Sequence, residues 1–202
     1  MHPNPVFHTK EAHENLAFAK ARAFGMLAVN GPEGPLLSHV PFLVDDDCVW
    51  LHLVRSNPIA RILKTPQIAK IVVSGPDSYV SPDWYGVRDQ VPTWNYVAVH
   101  LTGQLELRNP SELRALLERQ SAHFETQLLP KKPWRTDKMT PEVMEKMMRM
   151  IVPCRLHLTD IQGTWKLNQN KPDDLRLSAA DHIEGSGMGV GLVQIAKMMR
   201  DV

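Results

Sequence analysis

The sequence predicts a mainly β protein of the α+β class, in which about six antiparallel strands form a barrel with helical additions. Short apolar runs are separated by turn-forming segments, among them GPEG at 31–34 and the acidic run Asp45–Asp47, which is the pattern of a meander of antiparallel strands. The longer helical patterns occur at the start, in the middle and near the end of the chain, without a regular alternation of strand and helix. A parallel sheet would instead need a helix between successive strands.

The size and composition indicate a single folded domain, residues 1–202, with a helical C-terminal extension at about 172–202. A content of 43% hydrophobic and 22% charged residues is typical of a folded soluble protein. The 23 Lys and Arg nearly balance the 22 Asp and Glu, and the formal net charge is +1. No chain-wide field therefore attracts a polyanion, and any nucleic-acid contact needs a local basic patch.

Cysteine use and the distribution of apolar residues bear on the cellular compartment. Cys48 and Cys154 lie on different apolar runs, and the first residues lack the basic and then apolar pattern of a secretory leader. No apolar run approaches the roughly 20 residues that a membrane-spanning helix needs. We expect a reduced, cytoplasmic protein without a membrane contact.

The first half of the chain predicts a helix followed by three strands. Thr9 is a suitable N-cap for a helix whose apolar residues recur at helical spacing, and Gly25 is a suitable stop. Three strands are then expected in MLAVN, PLLSHVPFLV and CVWLHLV. The third strand should lead directly into a short helix, because Asn57 is a good cap and Pro58 occupies the first helical position.

The second half predicts two strands, two helices, a last strand and a helical end. IAKIVVSG and WNYVAVHLTGQLEL read as strands, and the proline-rich segment 76–92 between them reads as a structured loop. Asn109–Pro110 and Thr140–Pro141 open two helices, and VPCRLHLTDIQGTWKL is the last strand. The glycine-rich run GSGMGVG at 185–191 lacks the context of a dinucleotide loop, so we interpret it as a flexible link before a terminal helix.

Motifs for catalysis or metal binding are absent from the local sequence. Ser74 and Ser186 lack the strand, sharp turn and helix that expose a catalytic serine, so catalytic residues stay unknown. The Asp45–Asp47 run lacks the ligand spacing of a calcium loop. No histidine pair has zinc-site spacing, and we predict no metal site, although strands can bring distant histidines together.

The helix entrance RSNP combines a cation with two hydrogen-bonding side chains at free backbone N–H groups. Arg55, Ser56 and Asn57 can therefore hold a phosphate group. The alternative is an ordinary Asn cap beside a surface arginine, and the residues alone favour neither interpretation. A second basic segment, Lys131–Arg135 around Trp134, is better read as an exposed connector than as a nucleic-acid contact.

Two further stretches place tryptophan beside amide side chains: VPTWNY at 91–96 and GTWKLNQNKP at 163–172. Such side chains can stack on a flat ring and hydrogen-bond its edge. The alternative is that the two tryptophans fill the core, where buried tryptophan is common.

Together with SHVPF, NPIARIL and SPDWY, these two stretches resemble the FMN-binding negative transcriptional regulator family, the PaiB-like proteins. The resemblance extends from the first helix to about Asp174. It implies a six-stranded antiparallel split β-barrel of the FMN-binding type, assembled as a homodimer with FMN between the subunits. It also implies a set of cofactor-binding residues. Those implied for the phosphate are Ser38, His39, Arg55, Ser56 and Asn57, and those implied for the isoalloxazine ring are Trp94, Asn95, Tyr96, Trp165 and Lys166.

The resemblance implies two functions, an FMN-dependent oxidoreductase and a flavin-sensing negative transcriptional regulator. A regulator without flavin chemistry is an alternative, as is a haem-binding or haem-degrading protein in which His39, His52 or His100 meets iron. The sequence shows neither a helix-turn-helix pattern nor a basic stripe, so a direct DNA contact has weak support.

Overall fold

The computed structural model describes residues 1–202 and contains one seven-stranded sheet and six α-helices. The strand order is β1-β2-β3-β6-β5-β4-β7, and β1 also pairs with β4, so the first six strands close a ring. The neighbouring strands whose register is defined are antiparallel. The strands are β1 Phe24–Gly31, β2 Gly34–Asp45, β3 Cys48–Val54, β4 Gln67–Val80, β5 Thr93–Leu107, β6 Ile151–Lys166 and β7 Gly189–Val190.

The seventh strand corrects the predicted count of about six and lies inside the glycine-rich run that we interpreted as a flexible link. Val190 of β7 pairs with Asp77 of β4, and Gly189 pairs with Ser78. Gly189 has a φ of +152°, and a Cβ at this residue would lie 2.2 Å from the backbone oxygen of Asp77. Only glycine fits this close approach of two backbones, so this part of the run is held against the sheet.

The helices are α1 Ala12–Arg22, α2 Pro58–Ile62, α3 Leu113–Thr126, α4 Pro141–Met148, α5 Asp173–Ser186 and α6 Leu192–Arg200. Two predicted starts are confirmed by their caps. The Asn57 side chain accepts a hydrogen bond from the Ile59 N–H at the start of α2, and Asn109 forms a capping box with Glu112 ahead of α3.

The ends of α1 differ from the prediction. With Thr9 as the N-cap the helix would begin at Lys10, but it begins at Ala12. It ends at Arg22, and the next residue, Ala23, has a φ of 49°. Gly25 is not the helix stop but a residue of β1, where a Cβ would lie 2.7 Å from the backbone oxygen of Val72. The stop was missed because a non-glycine residue adopts the left-handed conformation there. Likewise, β4 extends to Val80 and takes in the first residues of the predicted 76–92 loop.

The chain folds as two compact units, each built from several separate segments. The first unit comprises 1–18, 73–100 and 161–202, and the second comprises 19–72 and 101–160. The core of the first unit joins the strands to the two C-terminal helices. Its buried members are Val80, Tyr85, Val97, Trp165, Leu167, Ala179, Ala180, Ile183, Ile195, Ala196 and Met199.

The second unit buries the apolar faces of its strands. Alternation along β3 shows the pattern, because Val49, Leu51 and Leu53 are buried while the residues between them are partly exposed. None of the helices in the structure combines the length and the apolar character that crossing a membrane requires.

Candidate functional site

Ser38 and Asn57 meet where β3 leads into α2. Asn57 Oδ1 accepts from the Ile59 N–H at 2.9 Å, while its Nδ2 donates to Ser38 Oγ on β2 at 3.1 Å. Both side chains are half-buried, and the next residue back, Ser56, is exposed. Of the predicted phosphate residues, Ser38 on β2 and Asn57 at the helix entrance are thus brought together by a hydrogen bond. His39 is exposed and stacks on Phe24, with ring centroids 6.3 Å apart.

Arg55 has different partners. Its Nε donates to the backbone oxygen of Arg149 at 3.0 Å, and its Nη2 lies 3.5 Å from that of Ile151. The backbone N–H of Arg55 also donates to Met150 O at 2.8 Å. The guanidinium is therefore held at the connection between α4 and β6, and its hydrogen bonds do not involve Ser38 or Asn57.

The predicted ring contacts on β5 divide between two faces of the strand. Trp94 is 45% exposed and meets Tyr79 edge to face at 6.2 Å, and Tyr96 is half-buried on the same side by strand alternation. Asn95 is fully buried on the other side, where Nδ2 donates to Met199 Sδ at 3.3 Å. Its Oδ1 has no hydrogen-bond partner. Trp94 and Tyr96 are accessible to a ligand, whereas Asn95 belongs to the interior of the first unit.

Trp165 is a core residue of the first unit. Only 9% of it is exposed, its Nε1 donates to Asn15 Oδ1 at 2.8 Å, and its ring meets Phe18 edge to face at 5.3 Å. The neighbouring Lys166 is half-buried, donates from Nζ to Thr93 Oγ1, and lies 5.7 Å from the Phe7 ring centroid. Burial lowers the pKa of the Lys166 ammonium. These contacts favour the core interpretation for Trp165 and leave Lys166 beside the strand that carries Trp94.

The amides of GTWKLNQNKP close the turn after β6. Asn168, in the left-handed conformation with φ 62°, donates to Tyr85 Oη at 2.9 Å. Gln169 accepts from the Leu167 N–H at 2.8 Å and donates to Trp165 O at 2.5 Å. The side chains of Asn168 and Gln169 therefore form hydrogen bonds within the protein, although the sequence had suggested them as contacts for a ligand.

Sequence reasoning missed a cluster formed by Asp47, Cys48 and His157. Cys48 Sγ lies 3.3 Å from Asp47 Oδ1 and 3.7 Å from His157 Nδ1, and His157 Nδ1 lies 3.3 Å from Asp47 Oδ2. The cluster exists because Cys48 of β3 and His157 of β6 are direct partners in the sheet. No local spacing signals it, since the two residues are 109 positions apart.

The three histidines considered for haem do not share an environment. His39 stacks on Phe24. His52 is held by Gln120, whose Oε1 lies 2.9 Å from His52 Nδ1, and burial lowers the pKa of this histidine. His100 lies on β5.

The segment around Trp134 is exposed at Lys131, Lys132 and Arg135, and hydrogen bonds attach it to α3. The Glu125 carboxylate of α3 accepts from Lys131 Nζ and from the Trp134 backbone N–H, the latter at 2.7 Å. A cavity of about 460 Å³ lies between α3 and residues 133–137. Lys131 is therefore committed to a carboxylate, which reduces the positive charge that this segment offers to a nucleic acid.

Comparison with known proteins identifies relatives of the whole chain. The sequence model of the family described as "Putative FMN-binding domain" matches residues 1–160. The chain is 28% identical over 203 residues to the protease synthase and sporulation protein PAI 2 of Bacillus subtilis, covering 96% of this chain and 94% of that protein. It is 25% identical over 240 residues to an uncharacterized protein of Aspergillus fumigatus, covering 92% of each.

Two solved structures share the fold at low sequence identity. The flavocytochrome Anf3 of Azotobacter vinelandii has a TM-score of 0.60 at 17% identity, covering 85% of this chain and 79% of that one. The FAD and haem binding protein of Mycobacterium smegmatis has a TM-score of 0.58 at 14% identity, covering 90% of this chain and 82% of that one. The predicted fold class, an antiparallel split barrel with helical additions, is confirmed, with the short β7 as a seventh strand.

The family match includes the Ser38–Asn57 pair and all of β5, and it ends before Trp165 and Lys166. It also ends before α5, β7 and α6. The chain belongs to this FMN-binding domain family, among its PaiB-like members.

Proposed function

We propose that the protein binds FMN and acts as an FMN-dependent oxidoreductase in the form of a cytoplasmic homodimer. The observation that carries the flavin part of the proposal is the match of the FMN-binding family over residues 1–160, and the oxidoreductase activity is inferred from the chemistry of FMN. Bound FMN supplies hydride and single-electron transfer, and the protein supplies binding and orientation. No acid or base of this chain is assigned to the chemistry.

The residues at the start of α2 fit a phosphate group in part. Ser38 and Ser56 offer hydroxyl donors, and Asn57 Nδ2 already points at the Ser38 hydroxyl. Arg55 contributes its charge but is bonded to backbone carbonyls of the α4–β6 connection. Because α2 has only five residues, its dipole adds little, and the hydroxyl groups must supply most of the recognition.

The residues on β5 fit an aromatic ring. Trp94 and Tyr96 share one face of the strand and keep accessible surface. Lys166 donates to Thr93 at the start of the same strand, and alternation turns Thr93 toward the opposite face, so a contact between its ammonium group and the ring edge requires Lys166 to leave Thr93. An isoalloxazine has apolar faces that stack on such side chains and a polar edge that accepts from an ammonium group. Trp165 and Asn95 are buried in the interior of the first unit, and we assign them no direct ring contact.

Titration of the untagged apoprotein with FMN and with riboflavin, followed by flavin fluorescence, tests the cofactor. The phosphate makes charge-assisted hydrogen bonds worth roughly 1.5–3 kcal/mol each, so FMN should bind at least about tenfold more tightly than riboflavin. Ser56→Ala should weaken FMN and leave riboflavin unchanged, while the exposed Ser186→Ala should change neither. Equal wild-type affinities would remove the phosphate site, and no binding of either flavin would remove the cofactor.

Electron transfer needs a separate measurement. Oxidation of NADH or NADPH by the FMN-loaded protein, with ferricyanide as acceptor, should exceed the rate with free FMN. A rate equal to that of free FMN for both donors would argue against an oxidoreductase that uses nicotinamide nucleotides, even when FMN binds.

A flavin-sensing negative regulator is the second candidate. The name of the Bacillus relative, which refers to protease synthesis and sporulation and to no substrate, favours it. The net charge of +1 and the pairing of Lys131 with Glu125 argue against a direct DNA contact. A sequence-selective DNA complex of nanomolar affinity near 150 mM salt would favour the regulator over the oxidoreductase.

A further inference from the structure

The Asp47–Cys48–His157 cluster has the composition and spacing of a metal site. Its three ligand atoms, one from each residue, lie within 4.8 Å of one another. Bonds of about 2.3 Å to sulfur and about 2.0–2.1 Å to nitrogen or oxygen, at tetrahedral angles, separate neighbouring ligand atoms by roughly 3.3–3.6 Å. Cys48 Sγ and His157 Nδ1 are 3.7 Å apart, and His157 Nδ1 lies 3.3 Å from Asp47 Oδ2, which is close to two edges of such a tetrahedron. The 3.3 Å contact of Cys48 Sγ is with the other carboxylate oxygen, Asp47 Oδ1, so the carboxylate has to turn for one of its oxygens to complete the face.

The backbone holds the ligands in this arrangement before any metal arrives. Cys48 and His157 are register partners across β3 and β6, and the Leu158 N–H donates to Asp47 O at 2.8 Å. Asp46, with a φ of 51°, makes the turn that presents Asp47 beside them. Little backbone conformational entropy remains to be lost on binding, because the three residues sit on paired strands and a two-residue turn, and the cost that remains is the ordering of the exposed Asp47 and His157 side chains.

The chemistry of the donors selects the class of metal. One thiolate, one imidazole and one carboxylate form a mixed set that suits a borderline-soft divalent ion, with zinc as the common choice for tetrahedral sites. A thiolate and a carboxylate together neutralise the two positive charges of the ion. Asp47 and His157 are exposed, with 67% and 55% of their side chains accessible, so water can reach a fourth position.

We propose that Asp47, Cys48 and His157 bind a divalent zinc ion, with water as the fourth ligand. On binding, the Cys48 S–H bond breaks, the proton passes to solvent, and a sulfur–metal bond forms without a change of oxidation state. The ion fastens the β2–β3 turn to β6. The site is distinct from the residues assigned to flavin, so the flavin proposal and this one can fail independently.

Two titrations of untagged, metal-free protein test the site. Zinc should bind with a stoichiometry of one in competition with a chromophoric chelator, and cobalt should give the near-ultraviolet absorption of a thiolate ligand. Loss of a group that only orients a metal ligand typically costs roughly 10–100-fold in affinity, so Cys48→Ser and His157→Gln, which remove ligands themselves, should each lose more than about 100-fold. His13→Gln, which removes an exposed histidine on α1, should bind as the wild type does.

Protection of the thiol gives a second readout. Cys154 is buried, and burial raises the pKa of its thiol to about 12, so a thiol reagent applied to the folded protein near neutral pH reports on Cys48. Stoichiometric zinc should slow labelling of Cys48 in the wild type and not in His157→Gln. Circular dichroism spectra matching that of the wild type would show that the variants are folded. Absence of stoichiometric zinc binding, or equal binding by both ligand variants, would overturn the proposal.

Discussion

The indole Nε1 of Trp165 donates to Asn15 Oδ1 across 2.8 Å, and both side chains are buried although they lie 150 positions apart. Asn15 in turn donates from Nδ2 to Lys10 O at 3.0 Å. The asparagine therefore satisfies a buried indole and a backbone carbonyl at once, and it ties α1 to the end of β6.

Replacing Asn15 with leucine should destabilise the protein by about 1–3 kcal/mol, because the buried indole N–H loses its acceptor. The free energy of unfolding in urea measures the effect. Asn170→Ala, an exposed position in the turn after β6, should stay within about 0.5 kcal/mol of the wild type. Equal stability of Asn15→Leu and Asn170→Ala would contradict a contribution from the Trp165–Asn15 bond.

Gly163→Ala should lower the free energy of unfolding more than Asn15→Leu does. A Cβ at Gly163 would lie 1.9 Å from Asn15 Oδ1, so either the strand or the asparagine must move. The clash disappears when the asparagine side chain is shortened, so adding Asn15→Ala to Gly163→Ala should cost less than Asn15→Ala costs by itself. A double-mutant cycle in urea measures this coupling, and additive effects would show that Gly163 acts independently of Asn15.

His52 should make stability fall on mild acidification. Burial lowers its pKa in the folded protein, so the unfolded chain binds the proton more readily. The contribution of neutral His52 is fully present above the ordinary histidine pKa of about 6.5 and is lost as the pH falls from there toward the lowered folded value. Unfolding in urea at pH 7.5 and 5.5 should show a smaller difference for His52→Gln than for the wild type, whereas His13→Gln should retain the wild-type difference.

Trp94 and Trp165 should respond to alanine substitution in different ways. Trp165→Ala removes a core side chain and should cost about 3–5 kcal/mol of stability. Trp94 is 45% exposed and forms an edge-to-face pair with Tyr79, so Trp94→Ala should cost no more than about 1.5 kcal/mol. If Trp94 contacts the flavin ring, Trp94→Ala weakens FMN and riboflavin equally. Unchanged binding of both flavins by Trp94→Ala would remove it from the proposed site.

Light scattering at micromolar concentration should give the mass of a homodimer. Leu37 of β2 and Ile68 of β4 are 57% and 60% exposed. Leu37 and Lys70 both pair with Ala28 of β1 and therefore point to the same face of the sheet. Ile68 is two residues before Lys70 on β4, so it shares that face with Leu37. A second copy could cover this apolar face. Leu37→Lys combined with Ile68→Lys should shift the mass toward a monomer, whereas Val193→Lys on α6 should not. A monomeric wild type would refute the proposed assembly.

The strands were predicted well where turn signals flank them. Segment 48–54 was predicted with the same bounds as β3, since the acidic turn precedes it and Asn57–Pro58 follows it closely. The end of α1 was missed because Ala23 adopts a positive φ without being glycine. No local pattern predicted β7, because this two-residue strand forms only by pairing with β4, more than 100 positions earlier in the chain.

The candidate site was less predictable than the fold. Ser38 lies on β2, and Asn57 lies between the neighbouring β3 and α2, so an antiparallel pairing of β2 with β3 brings the two residues near each other. The resemblance therefore pointed to two residues that are hydrogen-bonded in the structure. The role of Trp165 could not be read in the same way, because it depends on whether Asn15 lies within hydrogen-bonding distance. The Cys48–His157 contact likewise depends on the register between β3 and β6, which their sequences alone do not determine.

The core that joins β5 and β6 to α5 and α6 has a consequence for how the first unit unfolds. Ile195, Ala196 and Met199 of α6 are fully buried in it, together with Val97 of β5 and Trp165 of β6. Because the two helices share their buried surface with the strands, they cannot separate from them without exposing that apolar surface to water. We infer that α5 and α6 open together with this part of the sheet, so their backbone amides should exchange hydrogen as slowly as those of the strands they cover.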